Sequence, residues 1–596
     1  MMKDNQQEIE VCEMQNAETV LGILRERGKR GLPCNELYRQ LFNPDLYLLA
    51  YGRIYSNQGA MTPGVTDETV DGMSLGKIEA IIEAMRHERY RFDPARRLLI
   101  PKKNGKTRPL GLPTWSDKLV GEVVRLLLEA YYEPTFSDRS HGFRPGRGCH
   151  TALRDVSIAW KGTSWFIEGD IADCFGSLDH EVLIGLLSEK ITDGRFLALV
   201  SGMLSAGYLE DWNWNATLSG APQGGIASPV LSNIYLHKLD EFVEHTLIPE
   251  YTRGRLRKRN PAYRSVEAQI QRAQRRGDVP AIKELRRQQH ALPSQDPHDP
   301  DYRRLRYIRY ADDHLLGFAG PKVEAEAIKE RLGVFLRDEL KLELSSEKTL
   351  ITHARTGAAR FLGYDIRIRH NQRYQRKGRR SLNGDIQLCV PDEVIRSAVA
   401  PYMAKGNPGR RADWLSLDDY RIVAIYGSKF RGIAQYYMLA GDIRKMHRLR
   451  WVMETSMLKT LAGKHGSSVS KMAARYKAKI KTTRGLRTCF EATLEREGMK
   501  PLVARFGGFP LARQKMAVIT DRQVTGPTYP RKELITRLRH GTCEVCGSSD
   551  GVRVRHVKAL ADLDRPDTAP QWVQIMAARR RKTLIVCATC YDLTHR

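Results

Sequence analysis

Two things are scarce in this sequence: long apolar runs and cysteine. No run of membrane-spanning length occurs in the 596 residues, and the start Met1-Met-Lys-Asp has no apolar signal core. Ten cysteines are few for this length, and only four of them cluster, as two C-x-x-C pairs near the C-terminus. This usage disfavours a disulfide framework and favours a reducing compartment with one metal site. We expect no membrane partner and a cytoplasmic location, bacterial by default, with an organelle left open.

Acidic residues are also in deficit. Lys and Arg number 97 against 69 Asp and Glu, which gives a net charge of +28. The excess runs along the whole chain, so it predicts a large polyanionic partner, nucleic acid before membrane. With 41% hydrophobic and 28% charged residues the chain is globular, and its length predicts three or four domains. Composition alone leaves open a basic protein of ribosomal type.

The most informative stretch is Tyr310-Ala-Asp-Asp313, which lies between two apolar, strand-like runs. This pattern predicts a hairpin with two adjacent carboxylates at its turn. Such carboxylates repel each other unless a cation neutralises them. A third carboxylate, Asp170, ends another apolar run, Phe166-Ile-Glu-Gly. Three carboxylates on adjacent strands are what a two-magnesium nucleotidyl-transfer site needs.

Other segments are distinguished by charge and periodicity. Residues 251–290 carry twelve Lys/Arg against three Asp/Glu. They predict a helix or helix pair that lies on phosphates, although a merely solvated helix has the same pattern. Residues from about 390 to 480 have almost wholly helical patterns, and residues 485–535 are basic and irregular.

The C-terminal cysteines have the spacing of a metal site. Cys543-x-x-Cys546 and Cys587-x-x-Cys590 predict a structural zinc ion held by four thiolates. A redox or disulfide pair is the weaker alternative.

Several motifs occur in a fixed order along the chain. From about residue 35 to the C-terminus, this order resembles the reverse transcriptase of mobile group II introns, the intron-encoded maturase family. The motifs are Arg108-Pro-Leu-Gly-Leu-Pro113, Gly142-Phe-Arg-Pro-Gly-Arg-Gly148, Glu168-Gly-Asp-Ile-Ala-Asp-Cys-Phe175, Ala221-Pro-Gln-Gly-Gly225, Ser228-Pro-Val-Leu-Ser-Asn233, Arg309-Tyr-Ala-Asp-Asp313, Ser345-Ser-Glu-Lys-Thr349 and Phe361-Leu-Gly-Tyr364.

The resemblance implies an α+β fold with a right-hand polymerase, whose palm carries an antiparallel sheet. It also implies an α-helical thumb or domain X and a small zinc-bound H-N-H-like module. The implied domains are an N-terminal extension at 1–60, fingers and palm at 61–375 with a basic insertion at 251–300, thumb and domain X at 376–484, a DNA-binding region at 485–535 and the H-N-H-like module at 536–596.

The same resemblance assigns the polymerase site. Asp170 and Asp312 would bridge two Mg²⁺ ions together with the carbonyl of Ile171, and Asp313 would be a weaker ligand. On the nucleotide side it implies Lys102 and Arg108 as a triphosphate clamp, Phe175 as an aromatic gate that rejects a 2′-hydroxyl, Gln223 beside the nascent base pair and Lys348 at the pyrophosphate. An aromatic residue after a strand is also common in a core, which is the alternative for Phe175.

In the helical region, the residues that match domain X are Arg431, Tyr436, Tyr437, Lys464 and His465. Interleaved aromatic and basic side chains can stack bases and hold phosphates. The resemblance implies binding to the encoding intron RNA, which assists splicing. Ordinary core packing is the alternative for Tyr436 and Tyr437.

The C-terminal segment resembles an H-N-H endonuclease but departs from it. His556 matches the general base, and His595 is the one metal-binding histidine that survives. Arg555 and Tyr591 stand where the family has histidines, and neither is a good ligand for a hard cation. We therefore expect a zinc-stapled fold with an impaired nuclease, in which Arg579-Arg-Arg-Lys582 lies on phosphates.

The sequence thus predicts an RNA-directed DNA polymerase encoded by a group II intron. It would bind the intron RNA to assist splicing and copy it into cDNA at a DNA target, with dNTPs as substrates. Two alternatives remain: a splicing cofactor without polymerase activity, and a reverse transcriptase co-opted for another cellular role.

Overall fold

A computed structural model describes residues 15–57, 59–101, 105, 107–210, 213–215, 225–345, 347–370, 384–482, 485–496, 499–519, 532–557, 570–579 and 581–595. Within these ranges, no helix is both long and apolar enough to cross a bilayer. Helices and strands are both abundant, so the chain mixes the two kinds of element, as the expected α+β class requires.

The chain begins with an N-terminal lobe of helices and a small sheet. Polar side chains cap several of its helices; Asn16, Asn43 and Ser74, for example, accept backbone N–H groups at three helix starts. The helix α5 is buried along most of its length and packs against α1 and α3. The elements are α1 (Ala17–Lys29), α2 (Leu37–Gln40), α3 (Pro44–Ile54), α4 (Leu75–Arg86), β1 (Ala95–Pro101), β2 (Thr107–Leu112), α5 (Trp115–Tyr132) and α6 (Cys149–Ala159).

The next part contains the central sheet, whose strands follow the order β6-β7-β3-β8 and are all antiparallel. A π-helical turn, Val243–Leu247, joins α10 to α11. The elements are β3 (Trp165–Gly169), α7 (Cys174–Ser177), α8 (His180–Ser188), α9 (Gly194–Ser205), β4 (Tyr208–Glu210), β5 (Asn213–Asn215), α10 (Ser228–Phe242), α11 (Ile248–Glu250), α12 (Pro261–Arg275), α13 (Val279–Ala291), β6 (Arg304–Tyr310), β7 (Asp313–Ala319), α14 (Lys322–Leu340) and β8 (Ile351–His353).

Helices α12 and α13 form the predicted basic helix pair. We call residues 254–302 the basic hairpin. It leaves the body of the protein where Arg253 and Arg303 exchange two backbone hydrogen bonds of 3.0 Å. Both helices expose most of their residues, so their arginines face solvent.

The helical region follows and ends in a sheet that the sequence did not predict. Its strand order is β14-β15-β16, and β15 and β16 pack on α16. The elements are β9 (Ala359–Phe361), β10 (Tyr364–Ile368), β11 (Ile386–Cys389), α15 (Asp392–Val399), β12 (Met403–Ala404), β13 (Asn407–Pro408), α16 (Asp419–Tyr436), α17 (Met446–Lys464), α18 (Val469–Tyr476), β14 (Lys477–Thr482), β15 (Gly485–Arg496) and β16 (Met499–Gly507).

This sheet corrects the irregular structure expected from residue 485 onward. Exposure alternates along β14, and the first pair of its register is Lys477 with Phe490. The sheet therefore crosses the boundary that the sequence placed between residues 484 and 485. Charged side chains occupy the exposed face of the strand. Without attention to the two-residue period of a strand, the sequence therefore indicates only a charged segment.

The C-terminal module comprises the described residues from 532 to 595. Its elements are α19 (Lys532–His540), β17 (Arg553–His556), α20 (Gln571–Arg579), β18 (Thr583–Val586) and α21 (Ala588–Leu593). Strands β17 and β18 pair antiparallel. Buried Leu534, Leu538 and Val554 belong to the same hydrophobic core as the N-terminal helices, so the module is not an isolated appendage.

Candidate active site

The turn between β6 and β7 carries two of the predicted carboxylates. The last strand pair joins Tyr310 to Asp313, so Ala311 and Asp312 form a two-residue turn. Ala311 has a positive φ of 53°. Gly142 lies so close that a Cβ added there would be 2.3 Å from the Ala311 amide nitrogen. Only a glycine at this position lets the loop pack so closely against the turn.

Strand β3 brings Asp170 to the same place. Gly169 pairs with His314 across β3 and β7, and Asp170 follows it directly. The next residue, Ile171, is buried and forms a β-bridge with Leu344. The two segments therefore place Asp170 beside the carboxylates of the turn, as the sequence predicted from two separate motifs.

The three carboxylates interact electrostatically. Burial raises the pKa of Asp312, and the charge of Asp170 raises it further. Burial and the charges of Asp312 and Asp170 raise the pKa of Asp313 to about 7. A cluster of hard oxygen donors that repel one another suits a cation such as Mg²⁺. Lys348 neutralises part of the negative charge of this cluster, because its Nζ lies 2.6 Å from Asp170 Oδ2.

A buried ion pair beneath the turn was not predicted. Arg309 is fully buried and donates two hydrogen bonds to Asp240, at 2.8 and 2.6 Å. It also donates to the Ala311 carbonyl at 2.8 Å. Tyr307 donates to Asp240 at 2.8 Å, and Asn233 accepts from Arg309 at 3.2 Å. The turn is thus held by a fully connected polar network, which fixes its conformation.

Some of the residues predicted to bind the nucleotide lie within the described part of the chain. Arg108 is exposed on β2, and its charge offsets part of the rise that burial causes in the pKa of Asp312, so it lies near the carboxylates. Phe175 lies on α7, partly exposed, with its ring edge-on to Phe143 at 6.2 Å. It is therefore not enclosed in the core. Lys102 and Gln223 lie outside the described residues.

The predicted RNA-binding residues have different surroundings. Arg431 is exposed on α16. The hydroxyls of Tyr436 and Tyr437 donate to the carbonyls of Leu362 and Gly363, at 2.8 and 3.0 Å. This packing favours the core interpretation of the two tyrosines.

Two further residues of that set are bound to Asp419. Lys464 Nζ and His465 Nε2 lie 2.8 and 2.9 Å from its carboxylate. Burial opposes its ionisation, but the hydrogen bonds from Lys464, Tyr476 and His465 outweigh burial and hold the pKa of Asp419 at about 2. These side chains join α16, α17 and α18, a structural role that the sequence did not indicate.

The four C-terminal cysteines converge as expected. Their sulfur atoms all lie within 4.8 Å of one another. Burial disfavours the Cys543 thiolate, but the backbone amides of Cys546 and neighbouring residues outweigh it and lower its pKa to about 7. Four converging thiols with an acidic member have the donor chemistry of a structural zinc site.

The H-N-H-like residues are not arranged as an open site. Burial lowers the pKa of His556 to about 3, and its Nε2 is hydrogen-bonded to the Tyr51 hydroxyl at 2.9 Å. His595 Nε2 lies 3.1 Å from Arg555 Nη1. In the predicted phosphate-binding run, Arg579 pairs with Glu544 at 2.8 Å and Arg581 pairs with Glu533. Arg580 lies outside the described residues.

Three known families match successive parts of this chain. Residues 100–366 match the reverse transcriptase (RNA-dependent DNA polymerase) family. Residues 393–497 match the type II intron maturase family, and residues 543–591 match the AI2M/AI1M-like HNH endonuclease family. The maturase match includes most of the unexpected sheet.

Individual relatives extend over nearly the whole chain. The group II intron-encoded protein LtrA of Lactococcus lactis is 39% identical over 580 residues, which cover 93% of this chain and 94% of that protein. An uncharacterized 91 kDa protein in the cob intron of Schizosaccharomyces pombe is 33% identical and covers 94% of this chain and 69% of its own length. Among solved structures, a telomerase from Candida albicans covers 64% of this chain and 60% of its own, with 11% identity and a TM-score of 0.31.

Proposed function

This chain belongs to the family of group II intron-encoded reverse transcriptases and maturases, and we propose that Asp170, Asp312 and Asp313 form its polymerase centre. The convergence of Asp170 with the carboxylate-bearing turn carries this proposal. Asp170, which directly follows β3, joins Asp312 of the turn and Asp313 of β7 although 142 positions separate Asp170 from Asp312. The mutual repulsion of the carboxylates supports a role as cation ligands.

We assign the polymerase subdomains accordingly. The central sheet would be the palm, the sheet β2-β1-β4-β5 and the helices around it would be the fingers, and the helical region would be the thumb and domain X. The carboxylate turn would then lie between the fingers and the thumb, where a primer and its template would bind.

Asp170 and Asp312 would hold two Mg²⁺ ions together with the carbonyl of Ile171, and Asp313 would assist as a weaker ligand. When bound, such ions lower the pKa of the primer 3′-hydroxyl and stabilise the leaving pyrophosphate. Lys348 would exchange its contact with Asp170 for the pyrophosphate. Its side chain is 66% exposed, so it can move without unpacking the core.

Arg108 would bind the triphosphate, because a guanidinium matches phosphate oxygens in a bidentate manner. Lys102, on the same basic segment, would assist. The ring of Phe175 would occupy the volume that a ribose 2′-hydroxyl needs. Its contact with Phe143 would hold the ring in place. Gln223 would lie beside the nascent base pair.

We propose that domain X and the basic hairpin bind the intron RNA. Exposed Arg431 and the arginines of α12 and α13 offer positive charge to phosphates. The C-terminal cysteines would hold a structural zinc ion, and the segment around them would contribute to contacts with the DNA target.

Asp312→Asn tests the polymerase centre. We expect it to lower cDNA synthesis on an RNA template with an annealed DNA primer by at least about a thousandfold, because a neutral amide cannot serve as an anionic cation ligand. Splicing of the intron RNA should persist, since that reaction needs binding and not this carboxylate.

Asp338→Asn is the matched control, because Asp338 is an exposed aspartate on α14, with 55% of its side chain accessible. It should leave cDNA synthesis unchanged. If Asp312→Asn retains wild-type cDNA synthesis, the assignment of this cluster as the polymerase centre is wrong.

A further inference from the structure

The C-terminal module joins the N-terminal lobe through backbone pairing. Val554 donates to the Met73 carbonyl at 2.8 Å, and Gly72 donates to the Val554 carbonyl at 2.9 Å. These bonds form an antiparallel bridge between β17 and the segment before α4. Strand β17 is the strand that carries Arg555 and His556.

One carboxylate, Asp71, meets four groups of the module, of which the Tyr591 hydroxyl is one. Its oxygens accept the His556 backbone N–H at 2.8 Å and a hydrogen bond from the Arg555 guanidinium, and His595 Nε2 lies 3.3 Å away. The side chain of Asp71 is only 8% exposed and that of Arg555 only 14%. A buried carboxylate with a buried arginine partner is costly to leave unpaired.

Aromatic and apolar contacts surround this pair. The His556 ring packs against Tyr51 and Tyr55, with ring centroids 6.3 and 5.7 Å apart. Buried side chains of α19 extend the shared core, and Arg539 pairs with Asp45 at the start of α3 at 2.5 Å. The contact therefore has an apolar core and a charged rim, as stable protein interfaces do.

We propose that the C-terminal module is an intramolecular clamp that binds α3 and residues 71–73 of the N-terminal lobe. The surface it uses is the one that matches the H-N-H endonuclease. Arg555, in the place of a histidine, serves as the partner of Asp71. His556 is buried and its Nε2 is bonded to Tyr51, so the imidazole is not presented to solvent. The module therefore stabilises the fingers side of the protein and does not present a cutting face to DNA.

Hydrogen exchange of the full-length, zinc-loaded protein tests the clamp. Asp71→Asn removes the charge that pairs with Arg555 while it keeps the shape of the side chain. We expect amides of α3 and of β17 to exchange at least about tenfold faster in this variant. The β6–β7 hairpin, which lies in the polymerase centre, should be unchanged.

Asp550→Asn is the matched control, because Asp550 is an exposed aspartate of the same module. It should leave α3 exchange at the wild-type rate. Tyr51→Phe provides a milder disruption, since it removes only the hydroxyl bonded to His556, and it should accelerate exchange in β17. Wild-type exchange of α3 and β17 in both Asp71→Asn and Tyr51→Phe would overturn the clamp.

Zinc removal gives an independent measurement. Stripping the protein with a chelator should unfold the module and accelerate exchange in α3 as well. Unchanged exchange in α3 after the module has lost its own protection would also contradict the proposal. Neither readout depends on cDNA synthesis, so failure of the clamp is distinguishable from failure of the polymerase assignment.

Discussion

At the scale of single residues, the carboxylate turn depends on Arg309, which opens the Arg309-Tyr-Ala-Asp-Asp313 motif but has no role that the motif predicts. The hydrogen bonds of its guanidinium go to Asp240, to Asn233 and to the Ala311 carbonyl. It is buried, satisfies Asp240 with two hydrogen bonds and holds the carbonyl of Ala311. The sequence places Arg309 in a strand, but only the fold brings Asp240 of α10 beneath it.

Asp240→Asn should therefore damage both stability and activity. An uncompensated buried arginine costs about 3–5 kcal/mol in the free energy of unfolding. Denaturant unfolding and cDNA synthesis would be measured on the same preparation, with Asp338→Asn as the control. An Asp240→Leu/Arg309→Met double variant should recover much of the stability, because no buried charge remains unpaired. Its cDNA synthesis should stay low, because Ala311 loses its donor.

Stability equal to that of the wild type in Asp240→Asn would contradict the importance of the pair. Full activity in the double variant would show that the hydrogen bond to Ala311 is dispensable.

His556 gives the clamp a pH dependence. Burial first, and the charge of Arg555 second, lower its pKa to about 3 from an ordinary value of 6.5. Among the residues that the structure describes, Tyr51, Tyr55 and Asp71 are further titratable groups around it. A histidine held neutral in the closed state takes up a proton when the clamp opens below pH 6.5, so closure weakens as the pH falls through that value.

We expect the free energy of opening of β17, obtained from hydrogen exchange corrected for intrinsic rates, to fall by about 1.4 kcal/mol between pH 7.5 and pH 5.5. His556→Gln should remove this dependence. His87→Gln, which changes an exposed histidine just after α4, should keep it. A pH profile that is the same in wild type and His556→Gln would contradict the inferred burial of a neutral imidazole.

At the scale of elements, the sequence predicted those helices, hairpins and cysteine sites whose formation depends on residues close together in the chain. The carboxylate hairpin, the basic helix pair and the cysteine pairs all have periodicity or spacing that is visible within about 40 residues. The sheet of β14, β15 and β16 was missed because its buried face is completed by α16, which lies more than 40 positions earlier. The pairing of Asp71 with Arg555 spans 484 positions and leaves no local signal.

Gly427 tests the missed sheet. It lies on α16 where the backbone of β16 approaches, and a Cβ there would be 2.2 Å from the Arg505 carbonyl oxygen. Gly427→Ala should separate helix and sheet and lower the free energy of unfolding by about 1–3 kcal/mol. Gly432→Ala on the same helix meets nothing within 4 Å, and it should instead stabilise the protein by about 0.5–1 kcal/mol.

Thermal unfolding of the two variants measures this difference directly. Equal stabilisation by both substitutions would mean that β16 does not pack on α16 at this position.

At the scale of the whole molecule, the net charge is +28, and the protein must stay folded when no nucleic acid is bound to neutralise that charge. Part of the positive charge lies on the basic hairpin. It contains eleven Lys/Arg and six Asp/Glu, and its ion pairs Lys258–Asp301 and Arg259–Glu267 join its own residues. Because the hairpin is largely self-contained, its charge can act on a partner without taking part in the polymerase core.

Removal of residues 254–302 separates these roles. Arg253 and Arg303 already form a hydrogen-bonded backbone pair, so an Asn-Gly turn can connect them without strain. We expect the affinity for a duplex RNA to fall, and the slope of its logarithm against the logarithm of salt concentration to flatten by about one unit for each phosphate that the shortened protein no longer neutralises. The melting temperature and primer extension on a short template should be preserved. An unchanged salt slope would mean that the basic hairpin is only a solvated helix pair, the interpretation that its sequence left open.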